Sequence, residues 1–210
     1  MNSGLEELRA VMDRLRSPGG CPWDAEQTHQ TLLRYLLEES YEFVDAVHAD
    51  DRAAMREELG DVLLQVFFHA RVAQEHPDDP FDVDDVARGI AQKLIRRHPH
   101  VFGDTKVTGS QEVLDNWEVL KAKEKGRTSP LDGIAMSQPA LPLMEKLIYR
   151  AEKYGIPHGS TTDEKLTADE IGEALVKIIS IAAAQGIDAE DALRAKALEF
   201  AAKISSSEPR

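Results

Sequence analysis

Leu37-Glu38-Glu39-Ser40-Tyr41-Glu42 and, one short turn later, Arg56-Glu57-Glu58-Leu59-Gly60-Asp61 decide how this chain is read. Both stretches lie in segments whose apolar residues recur at helical spacing, which predicts helices over 31–49 and 53–75. With successive side chains turned by about 100°, Glu39 falls within roughly 60° of Leu32, Leu36, Phe43 and Ala46, so it points into the apolar stripe. Glu42 flanks that stripe one turn on. Glu58 shares its direction with Met55, Val62 and Val66, and Asp61 sits at the margin of the same face. Two neighbouring helices thus each aim an acidic pair at the core.

Outward from this hairpin the pattern stays helical, and no run of period-two alternation bounded by hairpin turns occurs, so an all-α fold is expected. A first helix over 5–15 stops at Ser17-Pro18-Gly19-Gly20, and Gly20-Cys21-Pro22-Trp23-Asp24 reads as loop. A fourth helix spans 83–97, with Asp82 or a neighbouring acid placed to cap it and Pro99 beyond its end. Residues 102–110 read as loop, 111–125 as a fifth helix and 126–130 as a linker that divides the chain. Behind it come helices at 141–154, 168–184 and 188–204, a loop over 155–162 and a tail from 205. Glu57–Asp61 is echoed in character by Asp169-Glu170-Ile171-Gly172-Glu173, which fits either a second half that is a shortened, diverged copy of the first or chance similarity between amphipathic helices. Its basic residues Lys146, Arg150 and Lys153 suit equally a ligand of that half or a solvated helix face.

The 210 residues can bury a core without disulfides. Lys and Arg total 25 against 38 for Asp and Glu, and a net charge of −13 argues against nucleic-acid or anionic-membrane binding held by phosphate contacts. Cys21 is the only cysteine, so there is no intrachain disulfide and no multi-thiolate zinc site. No apolar stretch nears the roughly 20 residues of a membrane helix, and the N-terminus lacks the features of a signal peptide. A soluble, cytoplasmic protein is expected.

Four carboxylates aimed at one place repel one another and must be neutralised by protons, basic side chains or metal. Hard divalent cations suit all-oxygen donors, which points to Mg²⁺ with Mn²⁺ as substitute. Lys93-Leu94-Ile95-Arg96-Arg97-His98-Pro99-His100 concentrates positive charge in an acidic chain, suited either to a helix C-terminus or to a bound polyphosphate. Trp23 is either a core plug or a platform for a nucleobase. His69 reads as an interior or dimer-contact histidine, and Cys21 as a small packed residue. A ferritin-like di-metal oxidase would need Glu-x-x-His pairs on two bundle helices, and only Glu26-x-x-His29 has that spacing. The alternative to an enzyme is a non-catalytic helical dimer that binds nucleotides or a protein partner as a regulator.

Gly20-Cys21-Pro22-Trp23-Asp24 with Gln27-Thr28, Leu37-Glu38-Glu39 with Tyr41-Glu42, Glu58-Leu59-Gly60-Asp61, and Arg96-Arg97-His98-Pro99-His100-Val101-Phe102-Gly103 followed by Trp117 together resemble the MazG family of all-α nucleoside triphosphate pyrophosphohydrolases. The resemblance covers about 5–125. It implies a helical bundle completed by dimerisation or higher homo-oligomerisation, with a catalytic module over 1–126 and a degenerate second helical module over 127–210 that lacks a complete metal motif. By the same resemblance Glu39, Glu42, Glu58 and Asp61 are metal ligands, and Glu38 and Glu39 act in catalysis, Glu38 either positioning water or supporting the ligands from behind. The implied reaction is Mg²⁺-dependent attack of water on the α-phosphorus of NTPs or dNTPs, giving monophosphate and pyrophosphate. Lys93, Arg96 and Arg97 would stabilise the leaving pyrophosphate, and Trp23 would stack on the base. Recognition mainly of the triphosphate implies broad base tolerance and a role in nucleotide-pool cleansing or regulation.

Overall fold

The structure is a computed structural model that describes residues 3–124, 129–157 and 165–206. The described residues form ten helices and no strand: α1 Gly4–Arg16, α2 Pro22–Glu26, α3 His29–His48, α4 Arg52–Ala73, α5 Val83–Arg97, α6 Pro99–Phe102, α7 Ser110–Glu124, α8 Ala140–Lys153, α9 Ala168–Ala184 and α10 Ala189–Ser206. The all-α expectation therefore stands. Residue 125 of the expected fifth helix, 126–128 of the expected linker, most of the 155–162 loop and the last four residues of the tail lie outside the described residues.

Local chemistry accounts for the boundaries. Ser3, Thr28 and Asp82 each begin a helix with a reciprocal capping box, and Asp51 accepts from the amides of Ala53 and Ala54 to start α4. The α3–α4 connection is only Ala49-Asp50-Asp51, with Asp50 in the left-handed region at φ 52°, where Asp is one of the few tolerated side chains. One expectation is corrected: 22–26 is a short helix and not loop. Pro22 occupies its first turn, where a missing N–H costs nothing, so this proline starts a helix and does not break one. A second short helix, α6, begins at Pro99 in the same way.

The Gly pair has a specific purpose. Gly19 adopts φ 77°, and a Cβ on Gly20 would lie 2.2 Å from the Leu15 carbonyl oxygen and 2.4 Å from that of Arg14. The chain must fold tightly against the end of α1, where the Cys21 amide donates to the Leu15 carbonyl at 2.8 Å.

The chain divides into two compact units, Met1–Thr108 and Gly109–Arg210, so α7 falls in the second. In the first, α3 and α4 form the main helical hairpin, with α1 and α5 packed on α4. Its core is Met12, Leu32, Phe67 and Phe68, with Leu8, Leu15, Tyr35, Leu63 and Leu64 around it. Arg16 ties the unit together: its side chain is 4% exposed, and it donates to the carbonyls of Asp24 and Gln27 and bidentately to Glu75 at 3.0 and 2.7 Å. In the second unit α8 packs on α10 around Leu143, Leu147, Ala151, Ala197 and Ile204. Arg150 is buried there, not on a solvated face, because its guanidinium donates to the Pro130 carbonyl.

Candidate functional site

The acidic residues at the margin of the α3–α4 hairpin converge. Glu39 from α3 and Glu58 and Asp61 from α4 are each half-buried and place one carboxylate oxygen apiece within 4.8 Å of the others. Helical spacing explains this: Glu39 shares its face with buried Leu32 and Ala46, and Glu58 and Asp61 are one turn apart on the helix packed opposite.

The electrostatics are those of mutual repulsion. Burial first, then the charges of Asp61, Glu42, Glu58 and Glu38, push the Glu39 carboxyl above the usual carboxylate range. Glu58 is raised by desolvation, then by Glu42 and Asp61, and Glu42 also lies within hydrogen-bonding reach of it. The charged groups that raise Glu39 are all carboxylates. An all-oxygen, uniformly negative donor set of this kind fits a hard divalent cation, which would replace repulsion by shared attraction.

Glu38 and Glu42 are exposed on α3, next to and one turn beyond Glu39. Lys93 is half-buried on α5, whose earlier residues Val86 and Ile90 line one cleft with Leu63 and Val66 of α4. Arg96 is exposed and Arg97 buried in the last turn of α5. Trp23, half exposed on α2, packs edge-on to Tyr35 and Phe68 with centroids 5.9 and 6.5 Å away.

Glu170, in the echo of the acidic motif, accepts from the Thr167 amide and hydroxyl as the third residue of the α9 capping box. In the second unit this stretch thus serves to start α9. His69 meets a partner that sequence reasoning missed: its Nδ1 lies 2.8 Å from His29 Nδ1, with the rings stacked at an interplanar angle of 6°. Burial and then the neighbouring His29 hold its pKa below the usual imidazole value. Arg16 was also missed, because its bonds join residues remote in sequence.

An all-helical protein presenting convergent carboxylates from two packed helices is the class that fold and site define. The comparisons give the family. Residues 27–102, which contain all of these carboxylates, match the MazG nucleotide pyrophosphohydrolase domain. The chain is 37% identical over 223 residues to the nucleoside triphosphate pyrophosphohydrolase/pyrophosphatase MazG of Thermotoga maritima, covering 97% of this chain and 85% of that one. It is 38% identical over 216 residues to the nucleoside triphosphate pyrophosphohydrolase of Escherichia coli K12, covering 90% and 81%. Identity to the Mycobacterium tuberculosis enzyme of the same name is 42% over 204 residues, covering 97% of this chain and 58% of that longer protein. The chain belongs to the MazG nucleotide pyrophosphohydrolase family.

Proposed function

We propose that this nucleoside triphosphate pyrophosphohydrolase cleaves NTPs and dNTPs at the α-phosphorus, releasing pyrophosphate and leaving the monophosphate. The observation that carries the reading is the convergence of Glu39, Glu58 and Asp61. Glu39, Glu42, Glu58 and Asp61 would hold Mg²⁺, with Mn²⁺ as a substitute. Bound there, the cation supplies neutralising charge for phosphate oxygens and acidifies water. Glu38, exposed beside Glu39, positions the attacking water and accepts its proton. Lys93, together with Arg96 and Arg97 one turn on, offsets charge on the leaving pyrophosphate.

Catalysis is assigned to the module over 1–126, since Glu170 in the 127–210 module is engaged in capping. With recognition centred on the triphosphate, all common bases are turned over, which suits pool cleansing or control of nucleotide levels. Two copies of the chain are inferred to associate through α3, where Leu33, Leu37, Val44 and Val47 form a stripe at 43–59% exposure. Sedimentation velocity tests this part: a dimer or larger species is expected, and a monomer at micromolar concentration refutes it.

The test of the reaction is incubation of the protein with a panel of NTPs and dNTPs plus Mg²⁺, with products separated by ion exchange. Monophosphate with pyrophosphate is expected. Diphosphate with orthophosphate would overturn the assignment to the α-phosphorus, and no turnover with either cation would overturn the catalytic reading.

A further inference from the structure

One helical turn from the acidic cluster lies a cleft of about 260 Å³, lined by Leu36, Val66, Phe81, Val86, Gln65 and His69. Its walls are apolar except for two side chains, and each carries a buried polar atom with no hydrogen-bond partner among the described residues: Gln65 Oε1 and His69 Nε2. Gln65 is only 5% exposed. Leaving such an acceptor unpaired is unfavourable, so a buried amide facing an apolar cleft is arranged for a ligand donor. The other nitrogen of His69 is engaged by His29 at 2.8 Å, which fixes the ring.

The position relative to the acids matters as much as the lining. Leu36 precedes Glu39 by three residues, and Gln65 follows Asp61 by four. In an antiparallel hairpin both steps lead away from the Ala49–Asp51 turn, so the cleft begins about 6 Å along the helices from the carboxylates. A nucleotide whose phosphates lie at the acids would extend its base in this direction. The cleft is smaller than a typical drug-sized pocket and suited to a flat heterocycle.

We propose that this cleft is the nucleobase subsite and that Gln65 Oε1 accepts a hydrogen bond from an exocyclic amine, favouring adenine and cytosine over otherwise similar bases that lack the amine. The inference rests on the nucleotide-hydrolase reading above, deepens it, and gives the base a seat other than Trp23. Tolerance remains broad, because the contact sets a rank order and not an absolute requirement.

The experiment compares kcat/KM for two substrate pairs that exchange the amine for a carbonyl, ATP with ITP and CTP with UTP, in wild type and Gln65→Leu. In wild type the amine-bearing member leads by about tenfold, the scale of one hydrogen bond left unmade. In Gln65→Leu the ratio falls to near one in both pairs, while the inhibition constant of inorganic tripolyphosphate, which has no base, stays unchanged. Gln65→Glu, which keeps an acceptor of the same reach, retains a preference for the amine and guards against a leucine variant that fails to fold. A wild-type ratio near one, or a ratio that survives in Gln65→Leu, overturns the proposal while leaving the hydrolase reading intact. Absence of any turnover in wild type overturns that underlying reading instead.

Discussion

Replacing Glu39 by Gln should raise the melting temperature of the metal-free protein and remove most of the stabilisation that Mg²⁺ confers. The substitution keeps side-chain size, so the packing around Leu32 and Ala46 is undisturbed. It removes a charge that Asp61, Glu42, Glu58 and Glu38 all oppose. A carboxyl raised in the fold makes the folded state progressively less stable as pH rises past the unfolded value, so a neutral amide in its place stabilises the apo state. For Mg²⁺ the sign reverses. At a hundredfold excess over Kd, binding to the folded state alone adds about 2.7 kcal/mol. For a unit the size of Met1–Thr108 this is a rise on the order of 10 °C. If losing one converging oxygen weakens binding about a hundredfold, the same Mg²⁺ stands at Kd and adds only about 0.4 kcal/mol. Differential scanning fluorimetry with EDTA and with Mg²⁺ reads both effects. An apo variant that melts lower than wild type and keeps the full Mg²⁺ increment would refute the reasoning that these acids form a repelling, cation-binding cluster.

Gly20→Ala should destabilise the protein by about 1–3 kcal/mol, because the added Cβ meets the carbonyl oxygens of Leu15 and Arg14 at 2.2 and 2.4 Å; the urea midpoint falls with its slope unchanged. The Arg16 guanidinium, through its hydrogen bonds and then its charge, holds the Glu75 carboxyl below the usual carboxylate range. A depressed pKa gives stability that is present above the unfolded value, about 4.3, and is lost as pH falls through the folded value. Urea unfolding of Glu75→Gln should therefore show a deficit at pH 7 that narrows toward pH 3, and an equal deficit at both would contradict the ion pair.

The fold was legible where one helix carries its own signal. Periodicity placed the long helices within about two residues of their observed ends, and Asp82 caps α5 as its position suggested. The short α2 was hidden because a five-residue helix has no period to read and its N-cap, Cys21, makes no side-chain bond. For the site, the turn-by-turn geometry of Glu39, Glu58 and Asp61 could be worked out along each helix, and the α3–α4 packing adds their mutual approach. What sequence could not give were the features made by distant segments. Arg16 resembles any surface arginine until Asp24, Gln27 and Glu75 surround it. Gln65 looks like one polar residue in an apolar run, and only the packing of Leu36 and Val86 beside it makes a cleft. Arg150 likewise has a surface residue's chemistry and a core residue's position.

Hydrolysis in water enriched in oxygen-18 tests the central assignment most directly, since the label marks the phosphorus that water attacks. With ATP and Mg²⁺, mass spectrometry of the products should find one heavy oxygen in the monophosphate and none in the pyrophosphate. Label in the pyrophosphate with an unlabelled monophosphate would place attack at the β-phosphorus and contradict the proposed alignment of substrate on Glu39, Glu58 and Asp61.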